Sequence, residues 1–159
     1  MKLKAIKILT IILSLSIFFI SLNKNAVIID YQGIKTVPSL NYFFMGSIAL
    51  FGGGIPEEII WLANPLSLIT IFLLLMNKKS SFKLSLSALI LAISFSSWKE
   101  LLGAESGTLA KIISLELGYY LWVLSIFILT VGTYLYFKVE SAELEKENML
   151  YNSSSNVNH

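Results

Sequence analysis

The chain has 159 residues, 55% hydrophobic and 14% charged, with a strongly positive mean hydropathy. Soluble domains carry roughly 25% charged residues, so this composition belongs to a membrane protein. A net charge of +2 is too small to argue for nucleic acid, and the lack of cysteine excludes disulfides, a thiolate nucleophile and cysteine-ligated zinc or iron–sulfur centres. All 12 basic residues are lysine, which with the abundance of Ile and Asn points to an AT-rich, bacterial genome.

The predicted fold is all-α: four transmembrane helices in a small bundle over residues 1–138, followed by a tail. The first span, residues 5–22, reaches roughly 27 Å at about 1.5 Å per residue and so matches a hydrocarbon core. Lys2, Lys4 and Lys7 ahead of it resemble the start of a secretory signal. The nearest small-residue cleavage position, after Ala26, has Lys24 two residues earlier, so the segment is expected to remain as an uncleaved anchor. Residues 41–54 carry about ten apolar positions before a run of glycines, too few to cross, and read as an interfacial or re-entrant segment.

The second span, residues 57–76, opens "PEEIIWLANPLSL". Pro56 suits a first helical turn, and Glu57 and Glu58 then sit at the positive end of the helix dipole. Pro65 removes a backbone bond and displaces the carbonyl of Trp61, which predicts a kink in the outer third. Groups freed in this way must be satisfied by protein or water, a task open to Asn64. At about 100° per residue, Glu57, Trp61, Asn64 and Leu68 fall on one stripe.

The turn "MNKKSSFK" joins this span antiparallel to the third, residues 84–98, where Ser85, Ala88, Ala92 and Ser96 form a small-residue seam. Residues 117–137 make the fourth span. On it Gly118, Trp122 and Ser125 share one face, while Glu116 points nearly opposite with Tyr120 and Val123. Gly118, Ser125 and Gly132 at heptad spacing allow close helix approach. Serines such as Ser14, Ser16, Ser87 and Ser94 are expected to bond back to their own helices. Tyr134, Tyr136 and Lys138 read as an inner interfacial belt. The tail, residues 139–159, begins as a charged turn or two of helix and is expected to be disordered at its end, with His159 given no metal role.

With these spans, one side holds Lys2, Lys4, Lys7, Lys78, Lys79, Lys83, Lys138 and Lys146, and the other Lys24, Lys35, Lys99 and Lys111. The excess of positive charge places both termini in the cytoplasm of a bacterial inner membrane, with residues 23–56 and 99–116 outside.

The stretch "IWLANPLSLITIFLLL", the short basic turn and "LGYYLWVLSIFIL" resemble an uncharacterised family of small bacterial four-span membrane proteins carrying W-x-A-N-P and G-Y-Y-L-W motifs. The resemblance covers residues 40–137, implies no activity, and points to Trp61, Ala63, Asn64, Pro65, Gly118, Tyr119, Trp122 and Ser125. The candidate site is therefore an outward-facing polar and aromatic cluster of Glu57, Trp61, Asn64, Pro65, Gly118, Tyr119, Trp122 and Ser125. No catalytic, cofactor-binding or metal residues are assigned. An intramembrane enzyme would have to use Glu57, Glu58, Glu100 or Glu116 as acid or base, and no histidine or metal-ligand set lies within the spans to assist them. The expected role is an interaction or assembly component, with the lipid bilayer, another membrane protein or a second copy as partner. The alternatives are an oligomeric small-solute carrier or channel, with Asn64 and the broken helix in a polar path, and an immunity-type protein against a pore-forming toxin.

Overall fold

The computed structural model describes residues 2–103 and 108–157. Four stretches are helical, long enough and apolar enough to cross a membrane: Leu3–Leu22, Ile55–Leu75, Ser80–Ser97 and Leu117–Leu150. They correspond to α1 (Lys2–Leu22), α3 and α4 (Ile55–Trp61 and Ala63–Leu75), α5 (Ser80–Ser94) with a 3-10 turn Phe95–Ser97, and α6 (Leu117–Val157). The third span thus begins four residues before its predicted start, because Ser80 and Ser81 already continue the helix out of the turn.

The second span is broken where proline requires it. Leu62 alone separates α3 from α4, and Pro65, which has no amide hydrogen, stands four residues after Trp61. The bonds on either side survive: Leu62 N donates to Glu58 O and Leu66 N to Leu62 O, both at 3.0 Å.

The bundle is assembled around α6. Against α1, Gly132 makes the close approach possible, since a Cβ there would lie 2.1 Å from Thr10 Oγ1. One helical serine departs from its expected role: Ser14 Oγ donates across to Ser125 O on α6 at 2.9 Å, whereas Ser87 and Ser94 do bond back within α5. Against α5, Ser85, Ala88 and Ala92 are buried while Ser96 is exposed, and Thr130 Oγ1 reaches Ser85 O at 3.1 Å. Ala63, Ala88, Leu89, Ala92 and Ile126 fill the centre. At the end of the bundle that carries the α4–α5 turn, Tyr136 is buried rather than part of a surface belt. Its hydroxyl meets Asn77 and Glu140, and Lys7 bonds Asn77 and lies over the Tyr136 ring.

The all-α prediction needs correction, because the opposite end of the bundle carries a four-stranded antiparallel sheet. Its strands are β1 (Asn25–Asp30), β2 (Ile34–Pro38), β3 (Glu100–Leu102) and β4 (Leu109–Leu115), in the order β2-β1-β4-β3. The physical reason is that both long connections emerge on one side of the bundle, so β1 and β4 can pair (Val27 opposite Leu115, Ile29 opposite Ile112) and satisfy backbone groups that neither loop could satisfy alone. Val27, Ile29, Leu101 and Ala110 turn inward onto Ile60, Phe95 and Tyr119 at the helix ends.

The segment predicted to be interfacial or re-entrant is a short helix, α2 (Ser39–Gly46), and a 3-10 turn, Ala49–Gly52. α6 does not stop near residue 137: it runs through the charged tail to Val157, and the last of the end predicted to be disordered, residues 158–159 with His159, lies outside the described residues. At about 1.5 Å per residue it is about 60 Å long, roughly twice a hydrocarbon core of about 30 Å, so its last half projects beyond the bundle.

Candidate functional site

A cavity of about 460 Å³ lies between the sheet, α2, α3 and the sheet-side ends of α1 and α6. Its walls follow from the elements just described. Phe18 and Leu22 come from the end of α1, Ala26 and Val27 from β1, Leu101 and Leu102 from β3, and the α2 segment closes one flank. A second cavity of about 60 Å³ adjoins it, with Phe18, Phe43, Asn64 and Trp122 on the boundary of both.

Six of the eight predicted residues line the larger cavity: Glu57, Trp61, Asn64, Gly118, Tyr119 and Trp122. Ser125 lines the smaller one, and Pro65 lines neither. The proline acts instead through the helix break, which sets the direction of α3 relative to α4.

The polar side chains of the predicted cluster have definite partners. Trp122 Nε1 donates to Asn64 Oδ1 at 2.8 Å, joining α6 to α4 between the two cavities. This bond, rather than repair of the backbone loosened at Pro65, is what the Asn64 carbonyl oxygen does. Trp61 Nε1 donates to Phe43 O at 2.8 Å and so fixes α2 against α3. The Trp61 side chain also lies where a Cβ on Gly46 would be, 2.5 Å away, so α2 can approach only because residue 46 is glycine. Tyr119 Oη donates to Ala92 O at 3.0 Å, and Ser125 Oγ to Trp122 O at 2.7 Å.

The glutamates are held by backbone amides. Glu57 Oε1 accepts from Leu102 N at 2.7 Å, which ties the start of α3 to the edge strand β3, and Glu58 Oε2 accepts from Leu50 N at 3.3 Å. Glu116 accepts from Ser114 Oγ at 2.7 Å, and its carbonyl receives the Tyr119 amide at the start of α6. It does not line the cavity, whose only charged lining residue among the described residues is Glu57.

Two hydroxyl groups of α2 were not singled out from the sequence. Tyr42 lines the cavity, and its phenol is raised above the ordinary tyrosine range, first by burial and then by the Glu57 carboxylate. It therefore stays protonated, and able to donate, throughout the neutral range. Ser39 also lines the cavity; it is 8% exposed, and its Oγ has no hydrogen-bond partner among the described residues. The room for that hydroxyl comes from Gly118, where a Cβ would lie 2.1 Å from it. Only the three-dimensional folding back of α2 onto α6 brings residue 39 beside residue 118, so no local pattern signals it.

The rim of the cavity is apolar and open. Met45, Ile48 and Phe51 line it while remaining 64%, 52% and 89% exposed. A phenylalanine with that much free surface is unfavourable in water by about 25 cal/mol per Å² of apolar area, which makes the rim an exposed apolar face. Comparison with family models, with curated proteins and with solved structures returns no match.

Proposed function

We propose that this chain is a non-catalytic interaction component of the bacterial inner membrane, with both termini cytoplasmic, that holds a membrane-borne ligand in the cavity on its outer side. The observation that carries the reading is the cavity itself. Its volume falls within the roughly 300–1,000 Å³ of small-molecule sites, its walls are apolar with a few fixed polar groups, and its rim is made of exposed apolar side chains.

Binding is favoured over catalysis because three of the four candidate carboxylates are occupied. Glu57 and Glu58 accept from backbone amides and Glu116 from Ser114, so each has a structural role. Binding is favoured over a transport path because beyond the Asn64–Trp122 bond the interior narrows to the cavity of about 60 Å³ and is then filled by Thr70, Leu74, Leu129 and Thr133, all fully buried.

The test is copurification in mild detergent of the wild type and of Ala49→Trp, which places a large side chain in the cavity wall. A membrane component retained by the wild type and lost from the variant, with helix content unchanged, is the expected result. A homo-oligomer that passes solute across vesicles, unaffected by the substitution, would overturn the reading in favour of a carrier or channel.

A further inference from the structure

We propose that the ligand of this cavity is a single-chain amphiphile with an uncharged, hydroxyl-bearing head of the monoacylglycerol type, its chain against Phe18, Phe43 and Trp61 and its head against Tyr42 and Glu57. The inference rests on the reading that the cavity is a binding site, and it specifies the chemistry of what binds.

The walls select the chain. Phe18 and Phe43 stack edge to face at 5.9 Å, and Phe43 leans on Trp61 at 6.5 Å, so one flank is a continuous aromatic surface. The rim opens through Met45, Ile48 and Phe51, which are exposed and apolar, so entry is from the membrane and not from water.

Charge and hydrogen-bonding capacity select the head. Glu57 is the one charged residue in the lining among the described residues and no lysine joins it, so a phosphate or carboxylate head would meet a like charge with no cation to offset it. An ammonium head would have only a carboxylate already accepting from Leu102 N, and burying an incompletely paired charge is costly. A hydroxyl both donates and accepts. It can donate to the Glu57 carboxylate and accept from the Tyr42 hydroxyl, both in the cavity lining. The Ser39 hydroxyl, also in the lining, adds a further group that the described residues leave unsatisfied.

The experiment uses the full chain in phosphatidylcholine nanodiscs with a monoacylglycerol bearing a diazirine in its acyl chain. Photolysis followed by peptide mapping should place the label on residues 39–61 and 117–122. Unlabelled 1-oleoylglycerol should compete, while oleate and oleoyl lysophosphatidate at the same concentration should not. Tyr42→Phe should weaken competition by about twofold to tenfold, the range of one hydrogen bond, without lowering thermal stability. Ala49→Trp should abolish labelling. Label confined to lipid-facing sides of the helices, equal competition by all three chains, or an unchanged Tyr42→Phe would overturn the proposal. If labelling fails but a copurifying protein is lost in Ala49→Trp, the amphiphile is wrong and the cavity remains a binding site. If Ala49→Trp changes neither, both conclusions fall.

Discussion

Glu57 carries two explanations, and its geometry separates them. As a charge in the first turn of a helix it would contribute through the dipole, by about 0.3–1 kcal/mol. As the acceptor for Leu102 N it holds an edge strand that has no further strand beyond it. Glu57→Gln keeps an acceptor oxygen and removes the charge, whereas Glu57→Leu removes both and leaves a part-buried amide unsatisfied. If the bond to β3 dominates, the glutamine variant should unfold within about 0.5 kcal/mol of the wild type. The leucine variant should lose about 1–3 kcal/mol. Thermal unfolding in detergent measures both, and an equal loss in the two variants would mean that the charge, not the acceptor, matters. The sequence reads this residue as a helix-start charge and as one member of a stripe with Trp61 and Asn64. Both placements are visible in a 3.6-residue period. Its partner is not, because Leu102 lies 45 residues away and a backbone amide leaves no trace in composition.

At the scale of elements, the helices are legible and the sheet is not. The four spans show themselves by hydropathy, and the break at Leu62 by Pro65, because both signals are local. The strands are short, between three and seven residues, and lie in connections that a hydropathy reading treats as spacers. One local signal was there: "AVIIDYQGIKTV" is two β-branched runs around Gln-Gly, and Gln32 and Gly33 adopt φ of 52° and 112°. Positive φ at successive turn positions is what tight hairpins need, and glycine supplies it without strain. Pairing of β1 with β4 joins residues more than 80 positions apart and could not be read in any window. Replacing Gly33 by Ala tests whether the hairpin stabilises the whole molecule. No atom of the described residues lies within 4 Å of the added Cβ, so the cost is conformational alone and should be at least about 1 kcal/mol, seen as a lower unfolding midpoint. If the midpoint is unchanged, the hairpin is a separable appendage rather than part of the cooperative unit that walls the cavity.

The whole molecule is polar from end to end in the sense of having two unlike faces: a sheet with its cavity at one end, and a lysine-bearing turn with a projecting helix at the other. Pairing of β1 with β4 requires the connections after the first and third spans to lie on the same side, which an even alternation of four spans satisfies. Which side that is depends on lysine distribution alone, and Lys78 and Lys79 in a turn of a few residues are the strongest part of it. The chain has no cysteine, so single substitutions can be labelled against a silent background. Ser47 follows α2 and is exposed, and Lys79 lies in the α4–α5 turn. With a membrane-impermeant maleimide on intact cells freed of any outer barrier, Ser47→Cys should react at once and Lys79→Cys only after the membrane is opened. The reverse pattern would turn the cavity toward the cytoplasmic leaflet, and its ligand would then have to come from lipids of that leaflet. Reaction at both sites without permeabilisation would mean that α3 and α4 do not cross, and the cavity they wall could not then sit at the membrane boundary that the proposed function requires.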